Sequence, residues 1–293
     1  MISSHGLPAG LLRLVPPPSA PVDAHGDWTA AEAQLGVRRL PADFKALVTA
    51  YGRGTFCDTV CLMTPFGDDN PVPLTADLLE DYGPLRETNP GGYPYPLFPE
   101  PGGLLAWAVT DAGHHLCWLT EGDDPGTWPV VIWSRDDDYE RFGTTAAGFL
   151  AGWADGSLSS GILTRDSGLS PWFDAAIPRD HVYVTLGPGE PPYDHRLAVL
   201  REALAPTVSR GTFRSPYDGS CQDHFATTDT DWHLTYETAY GHRLRVAFPP
   251  ADSARARAAV LDAVARTGCA VLAVRTIAGE SVWELPEDPG PRR

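Results

Sequence analysis

Cysteine and histidine cluster in two short stretches of this chain, CDTVC at 57–61 and HHLCW at 114–118. Thiolate and imidazole at short spacings are the ligands of zinc. A third stretch, CQDH at 221–224, sets a thiol three residues from an imidazole, the makings of a nucleophile–base pair. A fourth, DDDYE at 136–140, offers four carboxylates of the type that gathers Mg²⁺.

Spacing argues against chemistry at each of them. Side chains alternate between the two faces of a strand, so a strand at 114–118 sets only one of His114 and His115 beside Cys117. Cys57 and Cys61 are four residues apart, ~13 Å along a strand, and C-x₃-C is not the C-x₂-C knuckle that folds around zinc. Cys57, Cys61 and Cys117 are therefore expected to be small buried hydrophobes. CQDH reads as part of a polar loop with no further ligand at a recognisable spacing, and DDDYE as a solvated patch after a strand. The chain contains no G-x-x-x-x-G-K-[ST], no G-x-G-x-x-G after a strand, no G-x-S-x-G and no H-E-x-x-H. The expectation is a protein that is not an enzyme and holds neither metal nor cofactor.

The elements that position these residues fall into two sets. At 293 residues, with 43% hydrophobic and 20% charged residues, the chain has room for two packed domains. A proline-rich lead occupies 1–24. The segment 27–52 carries Leu40, Phe44, Leu47, Val48 and Tyr51 at helical spacing, with Pro41 and Asp43 suited to a first turn and Gly52 to the stop. TFCDTVCLMTPFG turns strand-like, and PLTADLLEDYGPLRE predicts a helix capped by Thr75. After a Gly/Pro/Tyr loop come three predicted strands, LLAWAVT, HHLCWLT and WPVVIWS, then a helix in TTAAGFLAGWADGSL. The pattern breaks over 161–178, read as a linker. Residues 179–293 follow the order β-α-β-β-α-β, ending in AVLAVRT and SVWEL, which predicts an α+β sandwich of the split βαβ kind.

Charge narrows the partners. The net charge is −16, from 38 acidic and 22 basic residues, and Lys45 is the only lysine. Such a surface repels a nucleic-acid backbone or an anionic membrane and favours a basic partner. The acidity is uneven: 21 acidic against 9 basic residues over 1–165, a net of −12, and 17 against 13 over 166–293, a net of −4. Five cysteines, an odd count, fit reduced thiols better than a disulfide framework. With no signal-like or membrane-spanning stretch, a cytoplasmic protein is expected.

Residues 25–160 resemble the SUKH superfamily, the Smi/Knr-type domains of bacterial toxin–immunity loci. The resemblance rests on Leu40-Pro41 at a helix start, Tyr51-Gly52 at its end, and Trp107 followed by the Asp111-x-Gly113 hairpin. Trp118, Trp128-Pro129 and the closing segment from Phe142 to Trp153 complete it. It implies a SUKH-like antiparallel sheet with flanking helices, followed here by a second, smaller α+β domain of no recognised family. It further implies a non-enzymatic domain that binds a protein, commonly neutralising a toxin, for instance a basic nuclease, by occluding it. The alternative is a regulatory or scaffold protein with no toxin partner; a hydrolase or metal enzyme using DDDYE or CQDH is the least supported reading.

The densest local charge makes Asp136, Asp137, Asp138 and Glu140 the favoured binding residues. Glu121, Asp123 and Asp124 in the preceding acidic loop are added to them, and Tyr93, Tyr95 and Phe98 are candidate apolar anchors.

Overall fold

Why the first 176 residues fold together is visible in how apolar positions repeat. The structure is a computed structural model describing residues 6–165 and 168–283, and the chain divides into two units, Met1–Ala176 and Ile177–Arg293. The first runs through α1 (Ala9–Leu14), α2 (Trp28–Leu35), α3 (Ala42–Tyr51), β1 (Gly54–Phe56), β2 (Val60–Leu62) and α4 (Pro71–Thr88). It continues with β3 (Leu104–Thr110), β4 (His115–Leu119), β5 (Val130–Trp133), β6 (Tyr139–Phe142), α5 (Ala146–Asp155) and β7 (Phe173–Ala175). All seven strands form one antiparallel sheet, ordered β6-β5-β4-β3-β2-β1-β7.

Both faces of this sheet are covered, so its central strands are apolar throughout rather than alternating. Leu105, Trp107, Leu116, Trp118, Val130 and Ile132 point to one side, where Leu11, Phe44, Leu47, Phe149, Leu150 and Trp153 from α1, α3 and α5 meet them. Trp107 and Trp118 stack with centroids 6.0 Å apart. Leu104, Ala106, Cys117, Leu119, Val131 and Trp133 point to the other side, under Leu78 and Tyr82 of α4 and the tyrosines of the loop that follows it.

The sequence-derived helix at Ala42–Tyr51 forms, and Gly52 ends it at φ +66°. A Cβ there would collide with the Val22 carbonyl, because the lead segment bridges to this glycine.

Several expectations need correction in this unit. The proline-rich lead, set off from the domain in the sequence, packs into its core: Leu7, Leu11 and Val15 are fully buried, and the Tyr51 hydroxyl donates to the Val15 carbonyl at 2.6 Å. Asn70, not Thr75, caps α4, accepting from the Val72 amide at 2.8 Å. Thr75 lies a turn inside and its hydroxyl donates to the Pro71 carbonyl. The stretch read as a linker also contributes structure, since Leu163 is buried and β7 pairs with β1. Three-residue strands such as β7 are too short for their periodicity to show.

The second unit comprises β8 (Asp180–Leu186), α6 (Tyr193–Ala203), β9 (Thr207–Arg214), β10 (Cys221–Thr227), β11 (His233–Glu237), β12 (Arg243–Phe248), α7 (Ser253–Arg266) and β13 (Val271–Thr276). Its sheet is antiparallel between neighbours and ordered β13-β8-β12-β11-β10-β9. β8 and β11 thus run parallel with β12 between them, the split βαβ arrangement, and β9–β10 is an additional hairpin inserted after α6. Leu200 and Leu204 near the end of α6, and Ala256, Val260, Ala263 and Val264 of α7, cover one face through Val182, Val184, Leu234, Tyr236, Leu244 and Val246. Of the predicted last strand, Ser281 makes a single bridge to Arg275, and Glu284 and Leu285 lie outside the described residues. No helix among the described residues is long and apolar enough to cross a membrane.

Candidate protein-binding surface

An antiparallel meander sends its successive turns to alternate ends. From β1 to β6 each strand neighbours the next, so the tight turns β1–β2, β3–β4 and β5–β6 share one end of the sheet. The β4–β5 loop lies at the other. The two acidic loops singled out in the sequence therefore stand at opposite ends, with Glu121, Asp123 and Asp124 apart from residues 136–138. In exchange, the β3–β4 turn brings Asp111 beside Asp136 and Asp138. The two turns are linked directly, the Arg135 amide donating to His114 Nδ1 at 3.1 Å. The β1–β2 turn adds Asp58 to the same end. The signal for Asp111 was the hairpin itself, since turns two apart in a meander lie side by side.

The four carboxylates of DDDYE do not act as one group. Asp137 sits at φ +62° and turns inward, Oδ1 accepting from Trp133 Nε1 at 3.1 Å and Oδ2 from the Tyr93 hydroxyl at 2.9 Å. Glu140 accepts from the Ser160 hydroxyl and, at 2.7 Å, from the Gly161 amide, fastening the segment that follows α5. Asp136 and Asp138 are exposed. Their amides are held at 3.2 and 2.9 Å by the buried Ser134 hydroxyl, which shapes the turn and leaves both carboxylates outward. Among the described residues, the Asp136 carboxylate has only a long contact, 3.8 Å, to the exposed Arg135.

At the opposite end Glu121 pairs with Arg141 at 2.7 Å. Asp124 caps the short turn that begins at Pro125, accepting from the Gly126 amide at 3.1 Å. Asp123 is exposed.

The aromatic candidates are half-buried rather than presented. Tyr93 lies 6.2 Å from the Tyr82 ring and Tyr95 5.5 Å from Tyr139, while Phe98 packs at the margin of the helix-covered core. The bond to Asp137, with burial and charge in support, pushes the Tyr93 hydroxyl above its ordinary pKa.

The cysteine and histidine stretches are taken apart by the sheet. Cys117 is fully buried on the α4 side, where burial pushes its thiol far above the usual range, and Cys57 is buried on the helix-covered side. Cys61 rests 3.5 Å from the Thr55 hydroxyl, and burial raises its thiol too. Burial, then the neighbouring His114, lowers the His115 pKa. The reading of CQDH as a loop is corrected: these residues are part of β10, where alternation sends Cys221 and His224 to opposite faces. Cys221 Sγ donates to the Gly219 carbonyl at 3.3 Å, and His224 Nδ1 pairs with the Thr235 hydroxyl at 3.0 Å. Among the described residues, no three His, Cys, Asp or Glu side chains converge as a metal site.

Comparison with curated proteins and with solved structures finds no match. Residues 25–150 match the family model SUKH_6, described as SMI1-KNR4 cell-wall, and the C-terminal half matches no family. The doubly covered antiparallel sheet that carries the acidic turns is therefore similar to the SUKH family over residues 25–150, and the second α+β unit lies outside that match.

Proposed function

We propose that this protein is a non-enzymatic binding protein whose SUKH domain neutralises a cognate toxin in the cytoplasm by covering its working surface. The observation that carries the reading is the acidic end of the first sheet. Asp58, Asp111, Asp136 and Asp138 lie on three adjacent turns there, in a domain whose family is commonly linked to toxin immunity. A carboxylate-rich rim complements the basic cleft of a nuclease and speeds encounter with it. A regulatory or scaffold role is the second reading, favoured by the additional unit with its own core.

The two readings separate in one experiment. The full chain is used to capture partners from its native cell, and each retained protein is expressed alone and then with this chain. A basic protein that arrests growth alone and is silenced by co-expression supports immunity. A retained partner without toxicity supports the scaffold reading and sinks the first.

A further inference from the structure

The second sheet buries one face under α6 and α7, and its other face carries an unusual charge arrangement. Strand register places Thr185, Arg243, Glu237 and Gln222 in one row across β8, β12, β11 and β10, with Arg275, Tyr183, Arg245 and Thr235 in the next. The Glu237 side chain is 0% exposed. Its carboxylate accepts from Arg245 Nε at 2.6 Å and Nη2 at 2.7 Å, from Gln222 Nε2 at 2.6 Å, and from Arg243 Nε.

The Arg243 and Arg245 guanidiniums lie 5.2 and 6.0 Å from the Tyr183 ring centre, and Arg245 also lies 5.9 Å from the exposed Tyr240.

The charge of a buried carboxylate is balanced by one arginine, and a carboxamide adds a neutral donor. Arg245 and Gln222 already supply both, so Arg243 overcompensates and leaves the cluster positive in a chain of net charge −16. Among the described residues, the terminal nitrogens of Arg243 and Nη1 of Arg245 have no hydrogen-bond acceptor. Their side chains remain 27% and 35% exposed. Arg275, exposed in register with Tyr183, adds a third cation. Guanidiniums clamped from below by a carboxylate and stacked on a ring lose little entropy when they take a ligand.

We infer that Arg243 and Arg245, held by Glu237 and Tyr183, form a docking surface for an acidic peptide segment of a protein partner. Planar carboxylates match the guanidinium edges, and the hydroxyls of Thr185 and Thr235 flank them in the same rows. A long polyanion such as nucleic acid would meet the repulsion of the whole chain. The surface lies outside the SUKH domain and stands apart from the toxin reading.

The test uses the full chain and a fluorescein-labelled hexapeptide of alternating Asp and Glu, followed by anisotropy, against the matching Asn/Gln peptide. The acidic peptide is expected to bind and its neutral counterpart not to. Arg243→Gln should weaken binding at least about tenfold. Thr185→Glu, on an exposed position beside Arg243, should do the same without touching the core, with unchanged circular dichroism in both variants. Equal binding of the two peptides, or unchanged affinity in both variants, would overturn the proposal. Tighter binding of inorganic phosphate or of a single-stranded oligonucleotide would overturn it as well, by assigning the surface to phosphate.

Discussion

Tyr93 donates its hydroxyl hydrogen to Asp137 across 2.9 Å, tying the loop after α4 to the β5–β6 turn. A residue that sequence presents as one of three equal surface acids is thereby a structural part of the domain. Asp137→Ala strips partners from both Tyr93 and Trp133 and should cost about 1–3 kcal/mol in urea unfolding. Asp136→Asn and Asp138→Asn should stay within about 0.5 kcal/mol of the parent. A similar cost at all three positions would refute the division of roles.

Recognition should follow the end of the sheet rather than the density of charge in sequence. Replacing Asp111, Asp136 and Asp138 together with Asn should slow association with a basic partner about tenfold at low salt and flatten its salt dependence. The same treatment of Glu121, Asp123 and Asp124 should leave the rate near its parent value. Stopped-flow measurements that show the reverse order would move the interface to the opposite end.

The lead belongs to the first core. Leu11→Ala should cost about 2–4 kcal/mol. A fragment of residues 1–176 should unfold cooperatively, whereas 25–160, lacking Leu7, Leu11, Val15 and β7, should not. Thermal scans of the two fragments decide it, and equal transitions would show the lead to be dispensable.

Acid should loosen β11 and β12 through Glu237. Burial by itself would raise this carboxyl, but hydrogen bonds from Arg245, Arg243 and Gln222 outweigh it and hold the pKa below its ordinary value. The unfolded chain then binds the proton more readily, near the free value of about 4.3. The stabilisation is full above that value and is lost as pH falls through the lower folded one. Hydrogen exchange in β11 and β12 should accelerate across this window, and Glu237→Gln should remove that acid-dependent step. The same acceleration in the Gln variant would place the acid-sensitive group elsewhere.

Long, strongly patterned segments were legible. The helices at Ala42–Tyr51 and Ser253–Arg266 repeat a period often enough to identify themselves, and β3 to β5 stand out as apolar runs bounded by turn residues. So were the family resemblance of the first half and the split βαβ order of the second. β7 and α1 were hidden because three to six residues carry too little period. β9 and β10 were hidden because their polar composition reads as loop, although they pair along their length.

By itself, the sequence determined the α+β class, the acidic composition and the separation of neighbouring side chains along β4, because strand alternation is a local property of the backbone; the strand expected through 57–61 is instead a hairpin, with Cys57 in the β1–β2 turn. Only the tertiary structure decided which carboxylates remain free on the surface and which are taken up inside the domain. Asp137 and Glu140 are taken up by Tyr93, Trp133, Ser160 and Gly161, groups up to 44 residues away along the chain. The turns that carry Asp111 and Asp136 are brought together by the sheet, not by the chain. Arg243 and Glu237 likewise meet only because β11 and β12 pair in one register. Such neighbours are set by long-range pairing, which no local spacing encodes.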